Sequence, residues 1–135
     1  MGAFMARNTA RPLSPHLGIW KPGIHMTVSI LNRVMGAGLA TVGVFALVWW
    51  LVAASSGAEA YEKFIGIATG WVGYVVLIGL TFAFFFHMAA GIRHFVMDLG
   101  AGFELKSNRT WAWATVVVAV LLTGLTWLII LNKGL

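Results

Sequence analysis

The stretch Phe64-Ile-Gly-Ile-Ala-Thr-Gly-Trp-Val-Gly-Tyr-Val-Val-Leu-Ile-Gly-Leu-Thr-Phe-Ala-Phe-Phe-Phe-His-Met-Ala-Ala-Gly-Ile92 carries no Asp, Glu, Lys or Arg. About 20 residues at about 1.5 Å each suffice to cross roughly 30 Å of hydrocarbon, so a run of this length reads as a membrane span. Two further uncharged runs flank it, Val34 to Ala58 and Thr110 to Asn132. The chain has 135 residues, 60% of them hydrophobic and 10% charged, too much apolar surface for a soluble domain of this size to hide. The sequence therefore predicts an all-α membrane protein with three transmembrane helices near 30–54, 64–94 and 110–131, forming a single domain over 1–135. Pro12, Pro15 and Pro22 break any helix that precedes them, so residues 1–28 are expected to form an irregular N-terminal arm.

Orientation follows from the cations near the span ends. Arg7, Arg11, Lys21 and Arg33 lie on the N-terminal side, and Arg93, Lys106 and Arg109 follow span two. The loop after span one has Lys63 beside Glu59 and Glu62, and the C-terminal tail has Lys133. The N-terminus is expected inside. Trp49, Trp50 and Trp71 then suit the outer interface and Trp111 and Trp113 the inner one. The net charge of +5 is accounted for by this distribution, so no nucleic acid is expected as a partner. With no cysteine, the chain cannot hold a thiolate-ligated iron–sulfur cluster or a disulfide. No signal-peptide or transit-peptide pattern is evident, which favours a bacterial inner membrane over a mitochondrial inner membrane.

Inside the second run stands His87. An ionisable ring within a span is costly and usually functional. A neutral imidazole is a good ligand for haem iron, and positions 80, 83, 84, 87, 90, 91 and 94 share a helix face on which Ala83, Ala90 and Gly91 leave room for a flat macrocycle. The alternative is an imidazole bonded to a carbonyl or hydroxyl of a neighbouring helix. No other histidine falls inside a span on this reading, so a second axial ligand would come from another chain. Two more polar groupings lie near the same membrane face. Ser29, Asn32, Arg33 and Gly36 recur at i, i+3, i+4 and i+7, placing a hydroxyl, an amide and a permanent cation together. Such donors suit a quinone carbonyl or anionic propionates; the alternative is an arginine that snorkels to lipid phosphates. Arg93, His94 and Asp98 leave span two at that face, either as part of a site or as a charge cluster closing the helix. Gly36, Ala40 and Gly43 on span one, and Gly66, Gly70 and Gly73 on span two, form small-residue seams suited to close helix packing.

At these residues the chain resembles the cytochrome b556 subunits of succinate dehydrogenase. The likeness is carried by Arg11-Pro-Leu-Ser-Pro-His-Leu17, Ser29-Ile-Leu-Asn-Arg-Val-Met-Gly36 and His87-Met-Ala-Ala-Gly-Ile-Arg-His-Phe-Val-Met-Asp98. The resemblance implies that His87 is an axial ligand of haem b iron and that Ser29 and Arg33 contact ubiquinone, with Arg33 also near the haem propionates. Asn32 stands where the family pattern has histidine; its amide can still donate a hydrogen bond to a propionate. His94 matches the motif in a supporting role. The implied partners are a second membrane anchor subunit sharing the haem, an iron–sulfur subunit, a flavoprotein subunit and membrane lipids. The implied function is the haem b- and ubiquinone-binding anchor of succinate:quinone oxidoreductase, without a dehydrogenase site of its own. A cofactor-free structural membrane adaptor is the competing reading, supported by the glycine seams. A transporter or channel subunit ranks behind both, because the polar residues gather at one face instead of lining a path.

Overall fold

The computed structural model describes residues 21–133, and within them all regular structure is helical. Helix α1 runs Ile24–Ser55 and contains a π-helical turn at Leu39–Gly43. Helix α2 is Ala58–Ala68, α3 is Trp71–Asp98 and α4 is Leu105–Asn132. Three of them, α1, α3 and α4, are long and apolar enough to cross a bilayer. The three expected spans are thus present, with different ends. The Arg11–Leu17 motif, and most of the expected arm, lie outside the described residues.

Span one starts earlier than expected. Its helix begins directly after Pro22, with Gly23 as an extended N-cap residue (φ −72°, ψ 158°), so positions 24–28 are helical and not part of an arm. Proline ends the reach of a helix on its N-terminal side and sets no limit beyond itself. Burial of Val28, fully shielded against Phe86 and Ala112, holds the added turn in the bundle.

Span two is also corrected. The run from Phe64 is not one helix: α2 ends at Ala68, and α3 starts at Trp71 after Gly70, which adopts an extended conformation (φ −74°, ψ 167°). A Cβ on Gly73 would lie 2.3 Å from the carbonyl oxygens of both Ile67 and Ala68. Glycine at 73 therefore lets the first turn of α3 rest on the end of α2. The expected seam of Gly66, Gly70 and Gly73 spans the break between α2 and α3 and is not the face of one helix. Helix α2, with its exposed Glu59–Lys63 pair at 2.7 Å, is a separate short element. Its Phe64 packs edge-on to Trp49 of α1 with ring centroids 5.0 Å apart.

Gly100 and Gly102, both with φ near +80°, close the turn from α3 into α4. These two helices pack through small residues: Ala112, Thr115, Ala119 and Thr123 form the buried stripe of α4, and Ala83, Phe86 and Ala90 that of α3. With backbones this close, dispersion contacts hold the helices together where lipid removes the hydrophobic drive. The large side chains Phe45, Leu51, Val72, Phe84, Phe95, Leu121 and Leu128 are more than half exposed, the inverse of a water-soluble bundle. The α1 seam is only partly a seam: Gly36 and Gly43 face α3, but Ala40 is exposed. The π-helical turn between them breaks the strict i, i+4, i+7 spacing.

Candidate functional site: an imidazole and a cationic groove on one edge of the bundle

Helices α1 and α3 run antiparallel. Gly43 meets Leu80, Gly36 meets His87, and the first turns of α1 meet the last turns of α3. Two features of this seam carry chemistry.

The first is His87. Its ring is exposed on the bundle surface and lies over Gly36, where a Cβ would come within 2.8 Å of Cε1. Its Nδ1 is 3.2 Å from the main-chain carbonyl oxygen of Asn32. A carbonyl oxygen accepts and never donates, so Nδ1 carries the proton. In a neutral ring the lone pair then lies on Nε2, which has no hydrogen-bond partner among the described residues. A ring nitrogen held by a carbonyl, with the other left to coordinate, is the arrangement that metal-bound histidines adopt. The donor set thus fits a haem iron. The room beside the ring comes from Gly91, which has open space around it. Ala83 and Ala90 do not provide it: both are buried inside the bundle. The arc spanned by the expected face is wide, and half of it turns inward.

The second feature is a groove of about 490 Å³ between α1 and α3. Its polar walls are His25, Ser29 and Arg33 from α1 and Arg93 and His94 from α3; Met26, Ile30 and Met97 supply apolar surface. The structure therefore brings Ser29, Arg33 and His94 together, as the sequence reading grouped them at one membrane face. Asn32 is not part of the groove: its carbonyl serves His87 and its Oδ1 is buried without a partner. Asp98 is exposed and does not line the groove. His94 follows His87 by seven residues, or about 10 Å of helix, which places the groove close to the imidazole along the same seam.

His25 was missed as a site residue, and Arg93 was placed beside His94 without a stated role. His25 falls in the first turn of α1, not before the span, and stands at i, i+4, i+8 with Ser29 and Arg33. That spacing was visible, but the expected arm hid it. Arg93 is 6% exposed and bonds through Nη2 to Asn108 Oδ1 on α4, while its Nε is buried without a partner. No carboxylate lines the groove, and among the described residues the one ion pair is the distant Glu59–Lys63.

Three apolar spans, with an outward imidazole and a cationic groove a short way along the same seam, define a small membrane-anchor subunit. The family model for the succinate dehydrogenase/fumarate reductase transmembrane subunit matches residues 7–126, and the chain belongs to that family. It is 39% identical over 117 residues to the succinate dehydrogenase cytochrome b556 subunit of Rickettsia conorii, covering 87% of this chain and 90% of that one. It is 36% identical over 115 residues to the cytochrome b556 subunit of Paracoccus denitrificans (82% and 88% covered). The cytochrome b560 subunit of Marchantia polymorpha is 37% identical over 105 residues (74% and 76% covered).

Proposed function

We propose that this chain is the haem b- and ubiquinone-binding membrane anchor of a succinate:quinone oxidoreductase. Membership of the family makes it a membrane subunit of the succinate dehydrogenase type of complex. The observation that carries the finer reading is the lock on His87: Asn32 carbonyl on Nδ1, glycine beneath the ring, Nε2 left with its lone pair. An imidazole kept only for packing has no need of an exposed, unpaired nitrogen in a lipid environment.

In this reading His87 would hold the haem iron, and Arg33, exposed on the same seam, would meet a propionate. The haem supplies a one-electron redox centre within the bilayer. A partner anchor subunit would cover the exposed face that holds His87 and would supply the other protein ligand of the iron. An iron–sulfur subunit, itself supplied by a flavoprotein that oxidises succinate, delivers electrons. Ubiquinone takes two electrons and two protons to become ubiquinol in the groove. There the Ser29 hydroxyl and the Arg33 guanidinium donate hydrogen bonds to a carbonyl oxygen of the ring, and His94 lies at the same wall. The charge asymmetry of the loops supports an N-terminus on the cytoplasmic side of a bacterial inner membrane, with the groove at that face.

Replacement of His87 by alanine in the purified complex tests this directly. The reduced b-type optical band should be lost or strongly altered while succinate oxidation by a soluble dye persists. An unchanged band would remove His87 from the coordination sphere.

A further inference from the structure

The geometry points to His25 as the proton donor of the groove, an imidazole that hands one proton to the ubiquinone oxygen held by Ser29 and Arg33. This deepens the proposed function and rests on it. His25 lies in the first turn of α1 and lines the groove one turn, about 6 Å of helix, before Ser29. Its ring is half-buried with the Cε1 edge over Gly23, and neither ring nitrogen has a hydrogen-bond partner among the described residues. An imidazole kept for packing would spend a nitrogen on a neighbour, as His87 does on the Asn32 carbonyl. The other polar groups of the groove cannot do this work. The Ser29 hydroxyl can relay a proton but holds none in reserve, and Arg33 and Arg93 do not release theirs. No carboxylate lines the groove. That leaves His25 and His94, since imidazole is the side chain that exchanges a proton near neutral pH. His25 is the one on the helix that carries Ser29 and Arg33, in its first turn, at the end of the span where water can return the proton. The remaining charged groups at this end are Lys21 ahead of α1, Asp98 on α3, and Glu104, Lys106 and Arg109 at the start of α4; all are exposed and none lines the groove. Reduction to ubiquinol takes two electrons, supplied by the iron–sulfur subunit, and two protons. For one of the protons, an N–H bond of the His25 imidazolium breaks as the O–H bond forms at the oxygen. The ring is left neutral and takes its next proton from water. The second proton enters from water at the open end of the groove.

The test uses the purified complex and a short-tailed ubiquinone, with KM and kcat for quinone reduction recorded across pH beside dye-linked succinate oxidation and the reduced haem band. His25→Gln keeps an N–H for hydrogen bonding but has no proton to give. It should lower kcat about tenfold or more with KM near parental, and with dye activity and haem band unchanged. The parental kcat should fall as pH rises through the range in which imidazole loses its proton, and His25→Gln should lack that limb. His25→Leu removes the hydrogen bond as well, and should add a rise in KM of about threefold. A parental kcat in His25→Gln alongside a raised KM in Arg33→Leu overturns the assignment of His25 and spares the groove. A lowered kcat that keeps the parental pH limb overturns it too, by reducing His25 to a structural part. The same holds for loss of kcat and of the limb in His94→Gln alone, which would put the donor on α3. If Arg33→Leu leaves quinone reduction untouched, the groove reading fails as a whole and this assignment with it. Should His25→Gln not assemble, Gly23→Ala decides the matter, because it displaces the ring and keeps the residue: a parental kcat there refutes the proposal.

Discussion

Gly36 of α1 and His87 of α3 are so close that a methyl group at position 36 would lie 2.8 Å from Cε1 of the imidazole and 3.2 Å from Nδ1. Real Cβ atoms do not approach ring atoms so nearly, so the ring would have to swing away. Its 3.2 Å hydrogen bond to the Asn32 carbonyl would go with it. The glycine is therefore part of the imidazole's seat, and its effect should be read at the haem.

Gly36→Ala should weaken haem retention about tenfold and shift the reduced optical band, as losses of outer-shell support do at metal sites. Gly36→Val, with two more carbons, should approach the loss seen with His87→Ala. Haem content per complex by pyridine haemochrome assay checks both. Full haem content and an unmoved band in Gly36→Val would show that the ring does not depend on this seat.

Gly73→Ala addresses the junction between α2 and α3. Its Cβ would meet two backbone carbonyl oxygens at 2.3 Å, and backbone cannot step aside as a side chain can. Overpacking of this kind costs about 1–3 kcal/mol, and the start of α3 should shift. Gly66→Ala, at a position with open space, should be neutral. Thermal inactivation of the assembled complex, compared between the two variants, measures the difference. Equal thermal stability would mean that the α2–α3 contact is not maintained in the membrane.

The three spans were legible because charge-free runs longer than the bilayer are rare in any other setting. Their ends were less so. Nothing in composition separates Ala68 from Trp71, since a break between two helices needs glycine and no charge. The run from Phe64 to Ile92 thus reads as continuous although Gly70 interrupts it. His87, Ser29, Arg33 and His94 were legible as a group because polar residues are costly in a span and these lie near one face. Arg93 was placed beside His94 at that face, but its burial was not legible, because Asn108 meets it from another helix, fifteen positions away. The room at Gly36 was equally hidden, since it is a distance between helices and not a pattern along one.

Ser29→Ala and Arg33→Leu should separate quinone chemistry from succinate oxidation. A neutral hydroxyl bond is worth about 1 kcal/mol, so Ser29→Ala should raise the quinone KM about fivefold. Arg33→Leu removes a cation and should raise it about tenfold or more. Dye-linked succinate oxidation should stay near parental in both. Parallel loss of the two activities would point to failed assembly in place of a defective groove.

Gly23, the N-cap residue of α1, and Gly36 within it each lie under an imidazole, and they offer opposite readouts. A Cβ at Gly23 would come within 2.6 Å of Cε1 of His25, as one at Gly36 does with His87. Gly23 has ordinary extended backbone angles, so alanine introduces no backbone strain there, and the main consequence is a displaced His25 ring. His25 lines the groove and lies eleven residues, or about 16 Å of helix, from Gly36. Gly23→Ala should therefore raise the quinone KM about threefold while haem content and the optical band stay parental, the reverse of Gly36→Ala. Measured side by side in the same complex, the pair separates the groove from the haem seat. A haem defect in Gly23→Ala, or a quinone defect without a haem defect in Gly36→Ala, would break the division of the seam into two sites.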